Sequence, residues 1–299
     1  MTNIDVSQIG GIAVITINRP ARFNSLDIQT AQDLRRAGLH CARDERIRAV
    51  VIRGLPGVFC SGADLKFIRD GGDAGDLAYL TYQRLRGERR SRANYGDVFK
   101  QILEYIHSTI SEIRRAPKPF IAAVDGIAAA GGFGIAMSCD LVVASERAAF
   151  EWAYSRTGLT GAESSTFMLP RLVGLRRSLE LMLLNRRLPA AQARDYGLVT
   201  VVFPVDSFEE QVMALAGRLA AGPAHAFAVA KELLNQSAGM DQLDAHLDRE
   251  LQELTRAANG VEFAEGLTAF FEKRQAQFTP PVASLPDHPS RREMPAILE

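Results

Sequence analysis

Cysteine is scarce in this sequence: Cys41, Cys60 and Cys139 are the only three in 299 residues. An odd, widely spaced set builds neither a disulfide framework nor a four-ligand zinc site, and it points to a reducing, intracellular setting. An excess of charge of one sign is missing as well. Thirty-five Lys and Arg balance 35 Asp and Glu, which argues against a nucleic-acid partner, because neutralising phosphates calls for a basic surplus. No apolar run approaches the length needed to span a bilayer. The opening MTNIDVSQIGGIAVITINRP has no basic stretch followed by an apolar one, so neither a membrane span nor a secretory signal is expected, and the expected location is the cytoplasm. The five histidines (40, 107, 225, 246 and 288) show no HExxH or related spacing, and no metal site is expected.

What is present is an alternation of strand and helix signals. IAVITI (12–17), AVVIRG (49–54), FIAAVDG (120–126), LVVAS (141–145) and VTVVFP (199–204) are short β-branched or apolar runs bounded by glycine, proline or polar residues. Asn24 or Ser25 is positioned to cap a helix running to about Arg43. VFKQILEYIHSTISEI carries apolar residues at 99, 102, 103, 106, 110 and 113, a helical spacing. The pattern predicts an α/β core over 1–204. Its polar 67–97 segment includes five arginines in RLRGERRSR (84–92) and reads as a solvated insertion or a basic lid. From 205 to 278 the chain reads as successive amphipathic helices, and the proline-rich 279–299 as an extended tail.

Two clusters of small residues stand out. AAGGFGIAM (129–137) opens a helix directly after a strand and holds no polar side chain, so its polar groups are its own amides. Glycine lets a ligand reach those amides, which have no partner inside the helix and sit at its positive end. The cluster lacks the Lys-Ser/Thr of a phosphate loop and the full dinucleotide spacing. CSGAD (60–64) is a second set of small residues after a strand and turn. Two amides from separate loops converging on one carbonyl oxygen would make an oxyanion hole.

Four blocks in order resemble the enoyl-CoA hydratase/isomerase, or crotonase, family: INRPARFNSL (17–26), GVFCSGADLK (57–66), KPFIAAVDGIAAAGGFGIAMSCDLVVAS (118–145) and LPRLVGLRRSLELMLLNRRLPAAQARDYGLVTVV (169–202). EGLTAFFEKRQAQF (265–278) is similar to the family's closing segment. The resemblance implies a crotonase-like (ClpP/crotonase) spiral of ββα units with a C-terminal helical segment, assembled as a homotrimer or hexamer. It implies no permanently bound cofactor and a substrate that is an acyl thioester of coenzyme A or of an acyl carrier protein. By the same resemblance the amides of Ala63 and Gly131 are the oxyanion donors. Ser61, Asp64, Leu65 and Lys66 line the carrier arm, Arg19 or Arg22 approaches the phosphates, and Lys273 reaches the carrier from the helical segment.

The pattern breaks where hydration needs its two carboxylates. By the match these fall on Gly134 and Tyr154, and neither can serve as a carboxylate base. The single acid of the family's isomerases falls on Ala162, with Glu163 one residue later. Glu163 is therefore the candidate acid/base, and Tyr154, with Ser164 and Ser165, a second candidate group or part of the acyl-pocket wall. His107 can approach the pocket or simply pack. The sequence thus supports an enzyme that stabilises a thioester enolate, an isomerase before a hydratase. A thioester or carbon–carbon hydrolase or lyase of the same family, and a catalytically silent acyl-CoA-binding protein, are the alternatives.

Overall fold

The computed structural model describes residues 1–55, 57–72 and 94–278; the basic run 84–92 and the 279–299 tail lie outside the described residues. Ile4–Ile9 (β1) and Ile12–Ile17 (β2) form an antiparallel hairpin, in register from Ile4 opposite Ile17 to Ile9 opposite Ile12. All of β2 is buried, whereas β1 is exposed beyond Ile4 and forms a sheet edge. Ile28–Arg43 (α1) follows, and its cap is Asp27 rather than Asn24 or Ser25. Phe23 and Asn24 both sit at left-handed φ (54 and 53), which no helix can continue. The Asn24 side chain is engaged elsewhere, accepting from the Arg19 amide and donating to the Val58 carbonyl. Asp27 accepts from the Thr30 amide at 2.8 Å.

The chain then repeats one unit three times. Ala49–Gly54 (β3) and Val58–Cys60 (β4) lead into Leu65–Arg69 (α2) and, further on, Tyr95–Arg115 (α3). Phe120–Val124 (β5) and Ile127–Ala129 (β6) lead into Gly131–Ser138 (α4). Leu141–Ser145 (β7) and Ala149–Glu151 (β8) lead into Ser165–Val173 (α5). The first strand of each unit enters one sheet and the second strand another. After Leu175–Leu184 (α6), Leu188–Pro189 (β9) adds antiparallel to β8. Ala190–Asp195 (α7) leads to Val201–Phe203 (β10), parallel to β7. The sheets run β1-β2-β3-β5-β7-β10 and β4-β6-β8-β9.

The strands of the larger sheet read as continuous apolar runs because both faces are covered. One face meets the main core around Ile15, Ile52, Phe120 and Phe133. On the other face Phe208, Val212 and Ala216 of Phe208–Ala220 (α8) pack on Val14, Val51 and Ile121. Ala224–Ser237 (α9), Leu243–Ala258 (α10) and Val261–Glu272 (α11) complete the C-terminal segment. Leu243, Leu247, Leu254 and Ala258 form the buried stripe of α10, which packs on α3. Among the described residues, no single helix is long and apolar enough to cross a membrane.

Candidate active site

The two small-residue loops touch. Gly62, at φ +91, lies so close to the second loop that a Cβ on it would come within 2.7 Å of the Ala130 Cβ and 3.3 Å of the Gly131 amide nitrogen. A Cβ on Gly132 would fall 2.2 Å from the Cys60 carbonyl oxygen. Backbone meets backbone here, so neither position accepts a side chain. The Leu26 amide donates to the Gly62 carbonyl and the Asp64 amide to the Leu26 carbonyl, both at 2.8 Å. This parallel bridge uses the groups on either side of Ala63 and leaves the Ala63 amide on the opposite edge of the strand. Gly131 is the first residue of α4, where an amide has no intrahelical acceptor. Neither the Ala63 nor the Gly131 amide has an acceptor among the described residues.

These loops open on a cavity of about 510 Å³ whose lining includes three carboxylates, Asp64, Glu151 and Glu163. Two of them are paired with cations. Asp64 meets Arg19 at 2.7 Å and Arg22 through two nitrogens, and it caps α2 by accepting from the Lys66 and Phe67 amides. Burial opposes its charge, but Arg22, the Phe67 amide and Arg19 hold its pKa below the ordinary value. Glu151 meets Arg156 at 2.8 Å and Arg187 at 3.4 Å.

Glu163 has no cation among the described residues. Burial pushes its pKa from 4.5 up to about 7, offset by a hydrogen bond from Tyr154 and assisted by the negative charge of Glu250. The Tyr154 hydroxyl donates to Oε2 of Glu163, and burial together with that carboxylate drives the phenol well above its ordinary range. Oε1 faces Gly131, whose Cβ, if it had one, would stand 2.8 Å away. Gly134, where the match places a hydratase acid, leaves room for the same loop: a Cβ there would lie 2.2 Å from the Glu163 carbonyl oxygen.

The loop departs from ordinary backbone to do this. Glu163 and Ser164 take φ 51 and 63 in succession, a conformation that residues with a Cβ adopt reluctantly. His107 accepts the Glu163 amide at 3.3 Å through Nε2, and burial lowers its pKa to about 3, so the ring is neutral. Glu250 accepts the Ser164 amide at 2.8 Å and the Thr166 amide at 2.9 Å.

Fold and contacts thus bring Ala63, Gly131, Tyr154 and Glu163 to one place, with Ser61, Leu65 and Lys66 along the same cavity wall. The Arg22 and Asp64 side chains, read from the sequence as carrier contacts, face each other. Lys273 ends α11 and lines a second cavity; Arg156 lines both. His107 lies behind Glu163 rather than along the cavity lining. Glu250 had no part in the sequence reading. Its signal was a carboxylate within the apolar stripe of α10, between Leu247 and Leu254. Among the described residues, no group of three or more His, Cys, Asp or Glu is placed to hold a metal ion.

A ββα spiral with a C-terminal helical segment is the crotonase fold. The chain belongs to the enoyl-CoA hydratase/isomerase family, whose model matches residues 7–85 and 89–281. It is 31% identical over 271 residues to 4-chlorobenzoyl coenzyme A dehalogenase-2 of an Arthrobacter species, covering 91% of each chain. It is also 31% identical over 271 residues to the 1,2-epoxyphenylacetyl-CoA isomerase of Escherichia coli K12, covering 90% of this chain and 95% of that one. Among solved structures, an enoyl-CoA hydratase of Mycobacterium avium subsp. paratuberculosis K-10 superposes with a TM-score of 0.79 at 32% identity, over 93% of this chain and 99% of that one.

Proposed function

We propose that the protein is an enzyme that moves the double bond of an enoyl thioester through an enolate held between the amides of Ala63 and Gly131. The observation that carries this reading is the Glu163 carboxyl, unpaired with any cation among the described residues and facing Gly131. Charge that develops on the thioester oxygen would be met by these two amides, which have no acceptor among the described residues, and losing one such donor in an enzyme costs about 3–4 kcal/mol. Glu163 takes a proton from one carbon and returns it to another, so one carboxyl serves both half-reactions and no water is consumed. A pKa of about 7 suits a group that must both accept and release a proton near neutrality. Tyr154 stays protonated and orients the carboxyl. Hydration through two carboxylates lacks its residues, because positions 134 and 154 are glycine and tyrosine.

In this reading Ser61, Leu65 and Lys66 line the path of the carrier arm, with Arg22 and Asp64 bracing that wall and Lys273 beyond Arg156. Coenzyme A or an acyl carrier protein enters as part of the substrate, and the chemistry needs no resident cofactor. Assembly as a homotrimer or hexamer is supported by the apolar side chains left exposed on α6 and α9.

The test is hydrogen exchange. Acyl- and enoyl-CoAs, and the matching carrier-protein thioesters, are incubated in deuterated water and label at the α and γ carbons is followed by mass spectrometry. Label should enter both positions, and Glu163→Gln should reduce the rate by at least about a hundredfold. Exchange that survives this substitution removes Glu163 from the mechanism. Tight binding with no exchange marks a silent acyl-CoA-binding protein instead.

A further inference from the structure

We propose that Glu250, on α10, is a positioning residue that holds the loop carrying Glu163 in its working conformation. This rests on the reading of Glu163 as the base. Glu250 is 5% exposed and lies on the face of α10 that enters the core. A carboxylate at such a place needs strong compensation. No lysine or arginine pairs with it among the described residues. Its neighbours are His107 at 4.0 Å and His246 at 3.8 Å, and burial lowers both ring pKa values.

Compensation comes from the first turn of α5. The Ser164 amide donates to Oε2, while the Thr166 amide and hydroxyl donate to Oε1. Burial raises the Glu250 pKa above its ordinary value, and these donors, with the Phe167 amide, oppose that shift by favouring the ionised carboxylate. The Thr166 oxygen in turn receives the His246 Nε2–H at 2.8 Å. Ser164, the residue at the head of α5, makes no capping bond of its own, and its hydroxyl pairs with Ser138 at 2.8 Å. Glu250 therefore does from another helix what an N-cap side chain does from its own, and the positive end of α5 favours its charge.

The consequence reaches the base. Glu163 and Ser164 hold left-handed φ in succession, and the amides of that turn are tied from outside, Glu163 to His107 and Ser164 to Glu250. Released from Glu250, the loop loses the anchor that opposes relaxation to ordinary φ, and the Glu163 carboxyl loses its place beside Gly131. The groups facing that carboxyl are the Tyr154 hydroxyl, the Glu250 charge and the Cys60 thiol, the last kept neutral by burial at about 12.

The experiment is Glu250→Gln in the full-length protein, followed by the exchange assay over a pH series. A carboxamide presents an acceptor to one of the two amides and an NH₂ to the other. The exchange kcat should fall about 10- to 100-fold with KM within about twofold. The acid limb of the profile should move to lower pH by on the order of half a unit to one unit, since a negative charge near Glu163 is gone. Combined with Glu163→Gln, the second substitution should add almost nothing, because both act on one group. An unchanged kcat and pH limb in Glu250→Gln, or fully additive losses in the double variant, overturns the proposal. If Glu163→Gln alone leaves exchange intact, the failure lies in the functional reading. Circular dichroism reports folding. Should Glu250→Gln not fold, Thr166→Val, which removes one donor to the same carboxylate, should lower kcat without raising KM, and an unaltered kcat there overturns the proposal equally.

Discussion

At the scale of single residues, the site turns on which carboxylate is left uncompensated. Asp64 and Glu151 are each held by two arginines, and Glu163 by a phenol. The arginines help hold the Asp64 carboxyl below its ordinary pKa, whereas burial with one neutral donor raises that of Glu163 to about 7. Tyr154→Phe tests this directly. The lost hydrogen bond stabilises the ionised form of Glu163, so its removal raises the pKa above about 7. As the proposed base, Glu163 must be ionised to act, so the acid limb of the exchange rate should move to higher pH, and the rate at pH 7 should fall about tenfold. An acid limb that stays in place or moves down would separate Tyr154 from the base. The shift is opposite in sign to that expected for Glu250→Gln, so two profiles distinguish a donor to the carboxyl from a like charge behind it.

At the scale of elements, the first turns of α4 and α5 meet. Gly131 and Gly134 of α4 face the Glu163 side chain and carbonyl, and a Cβ at 134 would sit 2.2 Å from that carbonyl oxygen. Backbone cannot yield there as a flexible side chain would. Gly134→Ala should therefore displace the 162–165 loop, lower the melting temperature by an amount corresponding to about 2–4 kcal/mol, and abolish Glu163-dependent exchange. A stable, active alanine variant would show that the loop has freedom the packing denies it. The same geometry accounts for the missing hydratase acid: a side chain at 134 and this path of the loop exclude each other.

At the scale of the whole molecule, the C-terminal segment is joined to the core in two different ways. α10 buries an apolar stripe and delivers Glu250 to the site. α9 buries no residue fully and is held by polar anchors, with Lys231 donating to the Ile113 and Lys118 carbonyls and pairing with Asp140 at 2.7 Å. Its Leu233 and Leu234, like Leu183 and Leu184 on α6, remain exposed at 60% or more. Exposed apolar clusters of this kind mark interfaces. Light scattering should accordingly return a trimer or hexamer, and Leu183→Lys with Leu184→Lys should lower the mass while far-ultraviolet circular dichroism is retained. A monomeric wild type would refute the assembly.

Local sequence by itself determined much of this protein. The apolar, partly β-branched runs at 12–17, 49–54, 120–124 and 141–145, bounded by turn residues, read as strands of an α/β core, and the glycines and alanines at 62, 63 and 129–132 can offer only amides. The smaller sheet escaped notice because strands of two or three residues are too short to alternate. Whether Glu163 points into the cavity could not be read from its position in a loop, since no period governs a loop residue. That direction is decided by partners distant in the chain: His107, Glu250 and the empty Cβ position of Gly134. Each acts through backbone groups that look alike in every sequence, and only the tertiary structure places them against one another.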